Sequence, residues 1–371
     1  MLTKIYYRIL QKALLFLNQN NMTSGEAKTM VVELNSKLNI RFEKPRQEFL
    51  PGVQPLVNRM AEVIGVESII LELPENGFLA QPLTNTQKKT VNRDLGIIYA
   101  AESVAFQKKL MEVHIEESDE RMVSLPDYFA QLSGASVSFS DKPFHPASEN
   151  GWAGKPRVFW TREGVAQRLL SVVNALNAID LQPHFEDAFR PVGVQEGLLK
   201  RRITQFILLE HPDWDPEKDF DLIMNEAQSK TAITPRIAGH KGGAAVDVTL
   251  RTVNGDPLPL GNDYPMGDAL VNLNCPYVTA NEWQTRQLFL TVMEMSGFAV
   301  YPGEDWHASY GDNLAGANPD GTLISGYQTR YGPIKNFDPN TGKVFPYDAA
   351  EYDKHFFSRE ELRQLAIEAR K

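Results

Sequence analysis

Two short segments of the 371-residue chain combine imidazole and carboxylate side chains at spacings that suit a metal ion. The first segment places His240 and Asp247 seven residues apart, with two glycines between them. The second segment places His307 three residues after Glu304. Two imidazoles and one carboxylate are a sufficient protein ligand set for a catalytic zinc ion, which keeps its fourth position for water. We therefore predict one Zn²⁺ per chain, bound by His240, Asp247 and His307.

The remaining carboxylate of the second segment is predicted to be the catalytic base. Glu304 lies close to His307 along the chain without being needed as a ligand, and a carboxylate in that position could take a proton from water. Each residue taken alone has a more ordinary explanation: His240 as a loop residue, Glu304 as a surface acid and Trp306 as a core residue. Asp305 is expected to face solvent. The joint occurrence of the three ligands and the base favours the metal site.

The same residues form motifs that resemble a known family. The pattern H-x-x-G-x-A-x-D is present as His240, Gly243, Ala245 and Asp247, and the pattern E-x-W-H as Glu304, Trp306 and His307. Upstream, the segment Asp187-Ala188-Phe189-Arg190-Pro191 looks like a D-x-[YF]-R-P motif. In this order the motifs resemble those of the D-alanyl-D-alanine dipeptidase family, within the superfamily of zinc D-Ala-D-Ala dipeptidases and carboxypeptidases. The resemblance covers residues 155–312.

This resemblance implies a fold, an activity and residue roles. The implied fold is α+β, with a central antiparallel sheet flanked by helices and an amino-terminal helical extension. The implied activity is zinc-dependent hydrolysis of a D-amino-acid dipeptide, D-alanyl-D-alanine above all, in cell-wall metabolism. Glu304 would act as general base and then as proton donor. Arg190 would stabilise the oxyanion of the transition state, because guanidinium is permanently charged and offers paired donors; its alternative role is a structural ion pair with Asp187.

Two departures from the family pattern keep other functions open. Ala238 stands where these dipeptidases have a serine, and Val271 aligns with an aspartate that helps to hold the substrate amine, with Asp268 nearby as a substitute. One alternative is therefore a zinc D,D-carboxypeptidase or endopeptidase that acts on longer peptidoglycan peptides. Another is a zinc-bearing binding protein without turnover, since metal ligands do not guarantee chemistry. Glu304 and Arg190 argue against the second alternative.

The elements that must position these residues follow from hydrophobic periodicity and from stop signals. Helices are predicted at residues 2–17, 54–64, 161–180, 194–211, 282–296 and 358–370, with a mixed helical stretch at 100–112. Strands are predicted at residues 184–189, 244–250 and 298–301. Alternation in the second of these strands places Val246, Val248 and Leu250 on one face and Asp247 on the other. The chain is divided into an amino-terminal helical extension (1–85), a zinc peptidase domain (86–330) and a carboxy-terminal tail with a final helix (331–371).

Composition excludes several classes of protein. The formal net charge of -9 gives no electrostatic footprint for nucleic acid, and the basic cluster Lys200-Arg201-Arg202 is read as a solvated helix face. Cys275 is the single cysteine, so no intramolecular disulfide can form. The apolar run 13–17 is shorter than the apolar region of a signal peptide, and no segment approaches a membrane span. We expect a cytoplasmic enzyme with a small peptide substrate; the oligomeric state stays open.

Overall fold

The structure is a computed structural model. It describes residues 35, 38, 40–43, 50–74, 77–142, 157–266, 269–273, 275–318 and 320–371. The helix predicted at residues 2–17 and the candidate Asp268 lie outside these residues.

Mixed helix and sheet content confirms the α+β prediction. The α-helices are α1 (Leu50–Ile64), α2 (Asn85–Leu110), α3 (Leu125–Ala130), α4 (Glu163–Asn177), α5 (Val192–Arg201), α6 (Leu208–Glu210), α7 (Phe220–Lys230), α8 (Gly239–Gly242), α9 (Ala280–Met295) and α10 (Arg359–Arg370). A π-helical segment, Arg202–Ile207, joins α5 to α6. Short 3₁₀ turns occupy Pro235–Ile237, Ala269–Val271, Leu314–Gly316 and Ala349–Glu351.

The strands form one five-stranded sheet and four two-stranded ladders in the described part of the chain. The strands are β1 (Phe42–Glu43), β2 (Phe78–Leu79), β3 (His114–Ile115), β4 (Met122–Ser124), β5 (Ser138–Phe139), β6 (Trp160–Arg162), β7 (Leu181–Asp187), β8 (Ala245–Thr252), β9 (Ala299–Val300), β10 (His307–Ser309), β11 (Gln328–Thr329), β12 (Ile334–Phe337) and β13 (Val344–Pro346). The large sheet has the order β5-β7-β8-β10-β9. Its β5–β7 pairing is parallel and its other three pairings are antiparallel.

The main hydrophobic core lies between one face of this sheet and helices α1, α4 and α9. Val246, Val248 and Leu250 of β8 are buried in this core together with residues of the three helices. Asp247, between them, lines a cavity instead. The predicted alternation of β8 is thus confirmed: the candidate ligand Asp247 points away from the core and into the cavity.

The longest helix among the described residues is only partly predicted by the sequence. Helix α2 runs for 26 residues and begins at a capping box formed by Thr84 and Gln87. The sequence predicts a helical stretch only at residues 100–112, because α2 has no continuous stripe of apolar residues. It packs instead through scattered small and apolar residues such as Val91, Gly96 and Ala100.

The predicted carboxy-terminal helix is confirmed as α10, which packs against the π-helical segment. Ser358 and Glu361 form the expected capping box at the start of α10. Leu362 and Ala366 pack against Ile203 and Phe220 in a second core cluster. Arg370 donates hydrogen bonds to the carbonyl oxygens of residues 208, 211 and 214 at 2.9–3.0 Å, which ties the chain end to α6 and the loop after it.

Candidate metal centre

The first candidate ligand lies on a single helical turn that is fixed from both sides. His240 is the second residue of α8, and its carbonyl oxygen accepts a hydrogen bond from the backbone N–H of Arg190 at 3.2 Å. Gly243 ends the turn in the left-handed region, with φ of 68°. A Cβ at this position would lie 2.6 Å from the Met122 side chain. A glycine is therefore required for the chain to turn directly from the helix into β8.

Strand pairing brings the other two candidate ligands together. Asp247 of β8 is directly opposite His307 of β10 in the antiparallel register, and Asp187 of β7 is opposite Asp247 on its other side. Because paired residues point to the same face of a sheet, these side chains converge although 60 residues separate Asp247 from His307.

The three ligand atoms form a compact triangle. His240 Nε2 lies 3.2 Å from both Asp247 Oδ1 and His307 Nδ1, and His307 Nδ1 lies 3.0 Å from Asp247 Oδ1. Ligand atoms around a tetrahedral zinc ion would be separated by about 3.3 Å, given metal–ligand distances of about 2.0–2.1 Å. Among the described residues this is the one group of three such side chains that could hold a metal ion. The donor set therefore fits a divalent cation.

Hydrogen bonding sets the protonation of the first ligand. His240 Nδ1 lies 2.6 Å from the carbonyl oxygen of Ala188, which can only accept, so Nδ1 carries the proton. In the neutral ring Nε2 then presents its lone pair to the triangle, as a metal ligand must. Burial alone would raise the pKa of Asp247, yet His240 and His307 hold it well below its ordinary value. Asp247 is therefore a carboxylate, as metal binding requires.

Glu304 lies beside the triangle without forming part of it. Its Oε2 is 3.7 Å from His307 Nδ1, and its side chain is 18% exposed. Burial raises the pKa of Glu304 to about 7, although His307 acts in the opposite direction. A carboxyl group of this kind can accept a proton in one step and return it in the next.

Arg190 forms the ion pair that its sequence left open and also lies at the cavity. Its Nε and Nη2 donate to Asp187 Oδ2 at 3.1 and 2.9 Å, and its Nη1 donates to Gln195 Oε1 at 3.1 Å. The ion pair with Asp187 is thus present. Nη2 also lies 3.6 Å from Asp247 Oδ2, and the residue lines the same cavity as the triangle. Burial would lower the pKa of Arg190, but Asp187 and Asp247 raise it, so the guanidinium stays charged next to the ligands.

The three candidate ligands, Glu304 and the guanidinium of Arg190 share one cavity of about 330 Å³. Its lining also includes Gln107 and Leu110 of α2, and Arg202 of the π-helical segment. Arg202 is only 7% exposed and donates to the carbonyl oxygen of Pro265 at 3.2 Å. Reading Lys200-Arg201-Arg202 as a solvated face is therefore wrong for Arg202, because the wider π turn buries it against the cavity.

For two further residues the outcomes differ: the prediction for Asp305 is wrong and that for Trp306 is confirmed. Asp305, expected to face solvent, is fully buried and forms an ion pair with Arg286 at 2.9 Å. Trp306 is 2% exposed, as expected of a core residue, and also lines the cavity. Of the positions that depart from the family pattern, Ala238 lines the cavity and Val271 is buried.

Tyr264 is a cavity residue that sequence reasoning missed. Its hydroxyl donates to Asp247 Oδ2 at 3.0 Å, and its ring contacts Trp306 edge-on, with centroids 5.1 Å apart. No sequence signal connects a loop tyrosine with a strand aspartate 17 residues earlier, since the contact depends on how the loop after β8 folds back.

Comparisons with known proteins agree with this geometry. Residues 155–330 match the family model described as D-ala-D-ala dipeptidase. A D-alanyl-D-alanine dipeptidase of Synechocystis sp. is 29% identical over 201 residues, which cover 46% of this chain and 77% of that protein. A D-alanyl-D-alanine dipeptidase of Enterococcus faecium is 34% identical over 71 residues, 19% of this chain and 35% of that protein. The resemblance seen in the motifs is thus confirmed: through residues 155–330 the chain is similar to the D-ala-D-ala dipeptidase family, and it is a metallopeptidase.

Proposed function

We propose that this peptidase uses one zinc ion, held by His240, Asp247 and His307, to hydrolyse a D-amino-acid dipeptide in cell-wall metabolism. D-alanyl-D-alanine is the first candidate substrate. The observation that carries the proposal is the triangle of ligand atoms, 3.0–3.2 Å apart, with Glu304 3.7 Å from one of them at the same cavity. A structural metal site would need neither an adjacent base nor an opening to a cavity.

Each residue has a defined task in this mechanism. When bound, zinc would supply Lewis acidity, lowering the pKa of water toward neutrality and polarising the peptide carbonyl. Glu304 takes the proton of the attacking water and passes it to the leaving amine, which its raised pKa favours. Arg190, held in orientation by Asp187 and Gln195, directs positive charge to the oxyanion that forms from the carbonyl oxygen.

The size and lining of the cavity support a small substrate. About 330 Å³ accommodates a dipeptide with water, and Gln107 and Leu110 of helix α2 contribute to its lining. Positive side chains such as Arg202 suit the carboxylate of a free peptide terminus.

A zinc D,D-carboxypeptidase or endopeptidase for longer peptidoglycan peptides is the second candidate. It is favoured by Ala238 at the cavity and by Val271, which is buried and carries no charge to hold a substrate amine. A zinc-bearing binding protein without turnover has less support, because Glu304 and Arg190 both lie at the ligand triangle.

The test compares the wild type with Glu304→Gln, using zinc content and release of D-alanine. Substrates are D-alanyl-D-alanine, its N-acetyl derivative and a pentapeptide that ends in D-alanyl-D-alanine. We expect both proteins to hold one zinc ion, and the variant to lose about 10²- to 10⁴-fold in kcat on the free dipeptide, the usual contribution of a general base.

Glu294→Gln is the matched control. It makes the same chemical change at an exposed residue of α9 that does not line the cavity. It should retain full activity. Cleavage of the pentapeptide alone would replace the dipeptidase proposal by the carboxypeptidase one. If the wild type binds zinc but cleaves none of these peptides, only the hypothesis of a zinc-bearing binding protein without turnover remains.

A further inference from the structure

The two oxygens of Asp247 have different surroundings. Oδ1 lies 3.2 Å from His240 Nε2 and 3.0 Å from His307 Nδ1, so it is the oxygen that belongs to the ligand triangle. Oδ2 points the other way and accepts the hydrogen bond of the Tyr264 hydroxyl at 3.0 Å. The carboxylate is therefore presented to the metal site by one edge only.

Tyr264 is the principal donor to Oδ2. Arg190 Nη2 also approaches Oδ2, but at 3.6 Å, while the same nitrogen donates to Asp187 at 2.9 Å. Since hydrogen bonds in proteins have donor–acceptor distances of about 2.5–3.2 Å, the tyrosine makes the hydrogen bond to Oδ2 and Arg190 only a longer electrostatic contact. A phenolic hydroxyl has a single hydrogen, and here it is directed at a charged acceptor, which makes the bond stronger than one between neutral groups.

The ring of Tyr264 is itself held in place. It contacts the buried Trp306 edge-on at 5.1 Å and 81°, and Trp306 immediately precedes the ligand His307. The hydroxyl thus links the loop after β8 to the ligand on β8, and the ring links that loop to the segment carrying Glu304 and His307. Residues that orient metal ligands in this way are usually worth about 10- to 100-fold in metal affinity or activity.

We propose that Tyr264 is a positioning residue, whose hydroxyl holds Asp247 Oδ2 so that Oδ1 alone is offered to the metal ion. The inference rests on the metal site of the proposed function. Without the hydroxyl, the carboxylate can rotate about its terminal torsion and present both oxygens. Metal binding must then fix a carboxylate that was free to rotate, which costs conformational entropy. The number of oxygen ligands available to the metal ion also changes.

The experiment uses the full chain with Tyr264→Phe, which keeps the ring on Trp306 and removes the hydroxyl alone. Tyr327→Phe is the matched control, because its hydroxyl donates to the backbone carbonyl of Asp312 at 3.1 Å and to no ligand. Zinc dissociation constants are measured by competition with a chelator, and the visible absorption of the Co²⁺-substituted proteins reports coordination number. Melting temperatures show whether each variant is folded.

For Tyr264→Phe we expect a zinc dissociation constant about 10- to 100-fold higher and a Co²⁺ spectrum of altered intensity. We expect a lower kcat on the peptide that the wild type cleaves, with a smaller change in KM. Tyr327→Phe should match the wild type in both metal measurements.

Two results would overturn the inference while leaving the zinc site intact: a Tyr264→Phe protein with wild-type affinity and spectrum, or equal losses in Tyr264→Phe and Tyr327→Phe. A separate variant, His240→Ala, tests the site itself. Unchanged zinc affinity in His240→Ala would overturn the proposed metal site and the role of Tyr264 together.

Discussion

The two walls of the cavity are built in different ways. On one wall, strand register places Asp247 opposite His307, and a single helical turn closed by Gly243 places His240 beside them. On the other, helical wall, Gln107 and Leu110 belong to α2, and Arg202 belongs to a π-helical segment. The first wall is fixed by backbone hydrogen bonds between strands, and the second by side-chain packing between helices.

We expect this difference to divide the cavity into a wall that carries out the chemistry and a wall that selects the substrate. The sheet wall lies entirely within residues 155–330, the region that matches the family, whereas α2 lies outside it. Residues on paired strands keep their spacing to a few tenths of an ångström, as metal ligands require, while a helical wall tolerates changes of side chain. We therefore expect changes on the sheet wall to affect turnover and metal binding, and changes on the helical wall to affect substrate affinity.

The largest effect is expected from removing a ligand on the sheet wall. His307→Ala should lose its zinc and more than about 10⁴-fold in kcat, exceeding the loss of a general base alone, because the metal contribution disappears as well. Zinc content and D-alanine release measure the two losses. His211→Ala is the control, since His211 is more deeply buried than His307 but stacks on Trp214, and it should keep its zinc. If both variants bind zinc normally, the ligand assignment is wrong.

A smaller loss is expected at Arg190, on the edge of the sheet wall. Arg190→Lys keeps one positive charge but removes the paired donors, so kcat should fall by about 10²- to 10³-fold, as it does when an oxyanion donor is lost. Zinc content should not change. Should the variant instead keep kcat and lose only thermal stability, Arg190 would be the structural partner of Asp187 and nothing more.

The sheet wall was also the easier wall to predict from sequence. Its ligands are marked by residue type and by fixed spacing, and the alternation in β8 gave the direction in which Asp247 points. The helical wall has no such signal. Helix α2 lacks a strong apolar stripe, and the contacts of Arg202 and Tyr264 depend on a π turn and on a loop that sequence periodicity does not encode. The burial of Asp305 was missed for the same reason, since its partner Arg286 is distant in sequence.

On the helical wall, Gln107→Ala should alter substrate affinity without altering chemistry. Its amide donates to the carbonyl oxygen of Gln228 at 2.8 Å and lines the cavity. Losing one hydrogen bond from this wall to the substrate, worth about 1 kcal/mol, should raise KM by about 3- to 10-fold, with kcat and zinc content unchanged. Steady-state kinetics on the dipeptide test this expectation. A fall in kcat with constant KM would mean that α2 contributes to the chemistry and that the two walls are not separate.

The smallest expected effect concerns acid sensitivity, and it compares a buried histidine of the sheet with one behind the helical wall. Burial lowers the pKa of His184 on β7 to about 4, and the cations Arg251 and Lys142 act in the same direction, although Asp141 opposes them and Glu186 Oε1 lies 3.6 Å from His184 Nε2. Burial also lowers the pKa of His211, but Glu226, whose Oε1 is 3.9 Å from its Nε2, acts against it. As the pH falls below about 6.5, His184 takes up a proton in the unfolded chain, whereas in the folded protein it stays neutral down to about pH 4. The free energy of unfolding therefore decreases between about pH 6.5 and pH 4.

Between pH 7 and 5.5 this loss amounts to about 1 kcal/mol, since one pKa unit corresponds to about 1.4 kcal/mol. Urea unfolding at both pH values measures it. His184→Asn, which can keep the contact with the Ser138 hydroxyl at 2.9 Å in the wild type, should remove this part of the pH dependence. His211→Asn should remove less, because its neighbouring carboxylates already favour the proton. Equal effects of the two substitutions would show that burial alone, and not the charge that surrounds each histidine, sets the acid sensitivity of the fold.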